Sequence, residues 1–210
     1  MGRSGRPFTD DDRELLRSLA AQTTLAVENV ELHFQVRRQA VTDELTGLSN
    51  HGSFQDLLSA EVEQVRRYHH QVGLIMLDLD NFKSVNDTYG HQQGDVVLRH
   101  VARALRDTSR DADSPARYGG EEMALILPHT DLDGSYAIAE RLRTAIESLR
   151  IPGPDGPLRV TASLGVAASS AGDKDLLIGQ ADAALYAAKR EGRNRTVRAR
   201  PQTANVGPGE

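Results

Sequence analysis

Apolar positions along this chain change their period several times, and each change marks an element. Val72 to Leu77 is an unbroken apolar run that ends on Asp78, the pattern of a strand buried on both faces. Met123 to Leu127 is a second such run, entered through Gly119-Gly120-Glu121-Glu122. With Ala116 to Tyr118 on the other side of the glycines, the segment reads as a tight hairpin. Helical spacing covers about 53–67, then about 93–106 with Val97, Val101 and Leu105 on one face. It returns at about 133–149, through Ile138, Leu142, Ile146 and Leu149, and finally at about 173–191. A Pro/Gly-rich turn, Pro152 to Pro157, precedes a strand over 158–167. The resulting order β-α-β-β-α-β predicts an α+β fold, a ferredoxin-like or polymerase-palm sheet flanked by helices. In that topology Asp78 and the hairpin turn stand on neighbouring central strands.

Before this unit, residues 9 to about 41 read as one long helix. Thr9 can cap it, Asp10, Asp11 and Asp12 suit the positive end of its dipole, and no proline interrupts it. It would be on the order of 48 Å long, more than a small domain needs. Its seam is uneven: Leu16, Leu19, Thr23, Ala26 and Val30 give way at His33 and Arg37 to a register of Val27, Val30, Phe34 and Val41. A helix packed on its own domain is the plainer alternative, and the length favours a coiled-coil signalling connector. The expected organisation is a linker over 1–41, a compact domain over 42–198 and a polar, disordered tail over 199–210.

Composition narrows the class. The 210 residues, 39% apolar and 26% charged, suit one soluble domain with an appendage. A formal charge of −5 gives no support to a nucleic-acid polymer or an anionic membrane surface as partner. There is no cysteine, which excludes disulfides and thiolate metal sites and fits a reducing, cytoplasmic setting. No stretch approaches the roughly 20 apolar residues of a membrane span, and the start is not a signal peptide.

Two buried-type strands that each finish at carboxylates offer hard oxygen ligands at a strand edge, which a divalent cation on a polyphosphate requires. Metal-dependent phosphoryl transfer is therefore the leading chemistry, against the plainer reading of an Asp cap and a solvated hairpin tip. Asp78-Leu79-Asp80-Asn81 also hints at a calcium loop, but Phe82 occupies the next ligand position and no glycine follows it.

The blocks DELTGLSN, LDLDNFKSVND, YGHQQGD, RYGGEEM, TASLGVA and ADAALYAAKREGRNR, in this order over roughly Thr42 to Arg195, resemble the GGDEF family of diguanylate cyclases. Phe8 to Leu32 is similar to the last helix of GAF sensor domains, which implies a piece of a larger sensor protein. The GGDEF resemblance implies condensation of two GTP into cyclic di-GMP and two pyrophosphates by a homodimer of half-sites. It implies two Mg²⁺ per site, with Mn²⁺ as a substitute, held by Asp78, Glu121 and the Leu79 carbonyl, with Glu122 as a further ligand. Glu121 is also the implied proton acceptor. Lys83 would stabilise the transition state, and Lys189 and Arg193, spaced four apart on a helical face, would hold the triphosphate. The turn Asn81-Phe82-Lys83 would present backbone N–H groups to phosphate. Asn86 and Asp95 correspond to the guanine-reading pair, and an unpaired buried polar group there would penalise ATP by on the order of 2–5 kcal/mol. Asp95, in the first turn of its helix, would also be favourable there as a simple dipole partner. His91 matches a substrate-contacting position. Arg110 and Asp113, with Arg141, match the site of product inhibition by cyclic di-GMP. Met123, Asn81 and His51-Gly52 depart from the family pattern without removing a ligand. The alternative is a catalytically silent receptor that binds GTP or cyclic di-GMP, which the complete set of acidic ligands disfavours.

Overall fold

The computed structural model describes residues 19–20, 22–24 and 41–200. The chain divides into two compact units, Met1–Ala40 and Val41–Glu210. In the first, the described residues are helical, and the Thr23 and Thr24 hydroxyls donate to the Leu19 and Ala20 carbonyls one turn back. The long helix over 9–41, its coiled-coil seam and the sensor-type helix over 8–32 thus fall almost wholly outside the described residues, as does the tail from 201 onward. Among the described residues, no helix is long and apolar enough to cross a membrane.

In the second unit the elements are α1 (His51–Tyr68), β1 (Val72–Leu79), α2 (Phe82–Tyr89), α3 (His91–Thr108), β2 (Ser114–Arg117), β3 (Glu122–Pro128), α4 (Leu132–Ser148), β4 (Ala162–Ser169), α5 (Lys174–Arg190) and β5 (Thr196–Arg198). They build a five-stranded sheet in the order β2-β3-β1-β4-β5. β1 runs antiparallel to both β3 and β4, and β5 adds to the β4 edge in parallel. The first four strands have the ferredoxin-like, palm-type connectivity expected of the sequence, an α+β fold.

The period-2 geometry of a strand explains why β1 is apolar throughout yet serves two cores. Ile75, Leu77 and Leu79 point with Met123, Leu125 and Leu164 into a layer closed by Val97, Val101 and Leu105 of α3 and by Ile138, Leu142 and Ile146 of α4. Leu74 and Met76 point with Ala124 and Ile126 to the opposite layer, closed by Phe54, Leu58 and Val62 of α1 and by Leu177, Ala181 and Leu185 of α5. Side-chain caps start three of the helices: Asn50 accepts from the Ser53 N–H, Asp131 from that of Gly134 and Asp173 from that of Leu176.

Several boundaries differ from expectation. Residues 82–89 form α2, of which the sequence marked only Asn81-Phe82-Lys83, as a turn; eight residues give too little periodicity to reveal a helix. Asn81 enters it in a left-handed conformation, φ 56°. α3 starts at His91 rather than at about 93, so Asp95 stands past its first turn and the simple dipole reading of that residue loses its basis. β4 starts at Ala162, not 158, because Leu158 instead closes a bridge with Ile151 around the Pro/Gly turn. β5 was not foreseen, and Ala199, assigned to the tail, still donates its N–H to Val166 at 2.7 Å. The hairpin is wider than a two-residue turn: its last pair is Arg117 with Met123, and neither Gly119 nor Gly120 adopts positive φ.

At Gly165 of β4 the backbone of α5 rests directly on the sheet. A Cβ there would fall on the Ala181 carbonyl and on the Leu185 backbone nitrogen. Neither can swing aside as a side-chain tip could, so α5 would have to lift off the sheet. Gly165→Ala is expected to cost about 3 kcal/mol in urea unfolding monitored by circular dichroism, and a loss under about 0.5 kcal/mol would show that α5 is not seated on backbone at this point.

Candidate active site

The pairing of β1 with β3 sets Asp78 directly opposite Glu122. Both lie on the α5 side of the sheet, by alternation from Met76 and Ala124. Like charges facing each other across a ladder are destabilising, so the arrangement serves something other than the strand pair. Glu121 sits one residue before β3, and its backbone carbonyl accepts from the Leu79 N–H at 3.4 Å, which ties the end of β1 to the hairpin tip. Burial raises the Glu121 carboxyl above its ordinary value, and the Asp78 and Glu122 charges add to the rise, while Lys189 opposes it. The Glu122 carboxylate folds back over its own turn: a Cβ on Gly119 would come within 2.6 Å of it. From the last turn of α5, the Lys189 ammonium reaches Asp78 at 2.7 Å. Asp182, two turns earlier on the same helix, is also raised by burial against the pull of Lys189. Burial, with the charges of Asp182 and Glu122, raises the Tyr118 phenol as well. One region thus gathers four acids around one lysine.

Two further interactions hold this region, and the sequence reading found neither. Arg117, at the end of β2, places one guanidinium nitrogen 3.1 and 3.0 Å from the two Asp43 oxygens. Its other nitrogens donate to the Gly119 and Gly120 carbonyls at 3.1, 3.2 and 2.7 Å. Asp43 in turn accepts from the Thr46 N–H and hydroxyl. Burial alone would raise the Asp43 carboxyl; the Thr46 hydrogen bonds and the Arg117 charge outweigh it and hold the group below its ordinary value. The DELTGLSN block therefore acts through Arg117 as a brace on the hairpin tip. The second anchor is Asp80, only 7% exposed. It accepts from the Thr161 and Ser163 hydroxyls at 2.7 Å each and from the Asn194 N–H at 3.0 Å. This joins the end of β1 to β4 and to the loop after α5. The signal for both was present, in an Arg next to the glycines and an acid two after Asp78, but neither shows its partner in one dimension.

The remaining candidates divide. Asn86 stands at the α2–α3 corner, its side-chain oxygen so close to Gly94, the residue before Asp95, that a Cβ there would strike it. Asn86 and Asp95 are both half-buried. Phe82 is buried at the start of α2, while Asn81, Lys83 and His91 are exposed. The expectation for Arg193 is corrected: α5 stops at Arg190, and Arg193 lies beyond it in a left-handed loop, φ 63°. It does not share a helical face with Lys189, because Gly192 lets the chain turn off first. Arg110 and Asp113 close a tight turn, the Asp113 carboxylate accepting the Arg110 N–H at 2.7 Å and leaving the guanidinium exposed. Arg141 donates to the Thr108 carbonyl at 2.8 Å, next to that turn, so the three lie on one surface. Among the described residues no three acidic or histidine side chains converge as they do around a bound ion. The donor set on offer is two carboxylates, Asp78 and Glu121, and the Leu79 carbonyl. That fits a cation taking its remaining oxygens from phosphate and water, the usual habit of Mg²⁺ on a nucleotide.

The sequence profile of the family described as "Diguanylate cyclase, GGDEF domain" matches residues 40–195. Diguanylate cyclase A of Treponema denticola is 34% identical over 202 residues, covering 92% of this chain and 53% of that protein. Diguanylate cyclase VdcA of Vibrio cholerae is 41% identical over 167 residues, covering 78% and 48%. This chain thus spans about half the length of these curated relatives. Among solved structures, the GGDEF domain of DgcB from Caulobacter crescentus, in complex with c-di-GMP, aligns with a TM-score of 0.73 at 36% identity, covering 76% of this chain and 96% of that one. Diguanylate cyclase SiaD from Pseudomonas aeruginosa, in complex with its activator SiaC, aligns with a TM-score of 0.74 at 37% identity, covering 89% and 72%.

The raised Glu121 carboxyl has a measurable consequence. The folded chain retains a proton there that the unfolded chain releases near the ordinary value of 4.5. Its stabilising contribution is therefore present at lower pH and is lost as pH rises through the window above that value. Glu121→Gln removes the penalty, so the metal-free variant is expected to melt above wild type at about pH 7 and together with it at about pH 4. An equal or lower melting temperature at neutral pH would contradict the crowding of charge described above.

Proposed function

The chain belongs to the GGDEF family of diguanylate cyclase domains, and on that premise we propose that it condenses two GTP into cyclic di-GMP. The observation that carries the reading is the packing of Asp78, Glu121 and Glu122 at one sheet edge with a single lysine against them. No packing benefit accounts for that excess of negative charge, and a divalent cation with a polyphosphate neutralises it. Asp78, Glu121 and the Leu79 carbonyl would hold Mg²⁺, which when bound supplies charge neutralisation at the triphosphate and a lower pKa for the attacking 3′-hydroxyl.

The rest falls to the chain's own groups. Lys83, exposed at the start of α2, and the backbone N–H groups of Phe82 and Lys83 face phosphate at a helix N-terminus. Lys189 and Arg193 supply positive charge from the end of α5 and the loop beyond it. Asn86 and Asp95 read the guanine edge, the carboxylate accepting from N1–H and the exocyclic amine. The 3′-hydroxyl oxygen of one GTP bonds to the α-phosphorus of the other, the bond to the β-phosphate oxygen breaks, and pyrophosphate leaves. The hydroxyl proton passes to Glu121 or to water. Repeating the step closes the ring, which requires two copies of the domain, each presenting one nucleotide. Cyclic di-GMP returning to Arg110, Asp113 and Arg141 would bind on a separate surface and restrain the reaction.

Incubation with GTP, ATP and Mg²⁺, followed by chromatographic separation of products, tests the reading. Cyclic di-GMP and pyrophosphate are expected from GTP alone. Asp78→Ala and Glu121→Ala should each reduce the rate by about a hundredfold or more, equivalent to several kcal/mol of lost charge stabilisation. Retention of GTP without pyrophosphate release would favour a silent receptor instead. Specificity has its own test at Gly94. A Cβ there would fall on the movable tip of Asn86 and come within 3.1 Å of the Phe82 ring, side-chain atoms rather than backbone, so Gly94→Ala should keep a cooperative melting transition while its KM for GTP rises about tenfold. An unchanged KM would remove Asn86 from guanine recognition.

A further inference from the structure

Lys189 makes its ion pair with Oδ2 of the Asp78 carboxylate that the proposed cation needs. The pair is 2.7 Å long, and Asp78's side chain is only 10% exposed against 33% for Lys189. The acid is therefore fixed in the sheet, while the lysine has room to leave. Its root cannot move far. α5 is seated on β4 backbone at Gly165, and just past Lys189 the Asn194 N–H is bonded to Asp80. Only the four-carbon stem can swing.

We propose that Lys189 is a positioning residue that guards Asp78, so that cation and triphosphate enter the site together rather than one after the other. This rests on the cyclase reading and adds a binding order to it. A divalent ion arriving alone must expel the ammonium from Asp78 and then lie beside it, a repulsive pair in a partly buried place. When the ion arrives with a polyphosphate, the displaced ammonium transfers to a phosphate oxygen and keeps a partner. Nucleotide and cation then strengthen each other's binding, and the coupling is reciprocal. Until they arrive, Lys189 offsets the repulsion that Asp78 and Glu122 exert across the β1–β3 pair.

Mn²⁺ titrated into the 210-residue chain without nucleotide, with the free ion followed by electron paramagnetic resonance, tests the guard directly. Lys189→Gln should bind Mn²⁺ about tenfold tighter than wild type, and Lys189→Arg, which keeps the charge, should bind like wild type. Adding Asp78→Asn to Lys189→Gln should abolish the gain and so assign it to Asp78. A single cooperative melting transition in Lys189→Gln, somewhat below that of wild type because the offset to the Asp78–Glu122 repulsion is gone, shows that the fold is intact. If Lys189→Gln binds Mn²⁺ no tighter than wild type, the guard does not exist. That result is separable from failure of the cyclase reading, in which wild type given GTP and Mn²⁺ forms no cyclic di-GMP at all.

Discussion

The structure depends on the register between β1 and β3. Seven consecutive pairs, from Val72 with Pro128 to Asp78 with Glu122, are set by residues whose alternate side chains enter two separate cores. A slip of one residue would exchange the cores, sending Leu77 and Met123 to the wrong layer. The same register forces the two acids face to face at the end of the ladder. The charge cluster is thus enforced by apolar packing elsewhere, and it persists although it opposes the stability of the strands that carry it. Sites of this kind are where proteins give up stability for function.

Around that enforced cluster the chain separates what must be rigid from what must yield. Arg117 locks the Gly119 and Gly120 carbonyls to Asp43, and Asp80 locks the end of β1 to β4 and to the loop after α5. Each anchor is a charged group with its partners already in place, so little reorganisation remains when a ligand arrives. By contrast, Lys83, Lys189 and Arg193 end in flexible, partly or fully exposed stems. Carboxylates are held and cations are free to adjust, which suits a ligand whose phosphates change position as bonds form and break.

How much of this was legible in the chain follows from what sequence periodicity can carry. β1 and β3 were plain because a strand buried on both faces is an apolar run, and α3 and α4 because their inner faces repeat at helical spacing. α2 escaped because eight residues span barely two turns, and β5 because three residues show no alternation. Arg193 misled for a related reason: a spacing of four implies a shared helical face only while the helix lasts, and α5 ends before reaching it. Asp78, Glu121 and Glu122 were legible as acids at strand ends, and the topology sufficed to make them neighbours. The Arg117–Asp43 and Asp80–Asn194 contacts join residues 74 and 114 positions apart. Nothing local in the sequence encodes such partners.

The acids at the strand ends and the arginines at the end of α3 and on α4 belong to opposite layers of the sheet. Lys189 acts on the acids from α5, on one layer of the sheet, whereas Arg110 and Arg141 meet at the end of α3 and the outer side of α4, on the other layer. Charge at the proposed catalytic edge can therefore be rebalanced without touching the surface assigned to product. Occupation of that surface, in turn, need not alter a single ligand of the proposed cation. On the proposed function, substrate entry would be governed by local electrostatics within one domain. Restraint by product would work through how whole domains are brought together, where a reaction between two separately held nucleotides is most easily stopped.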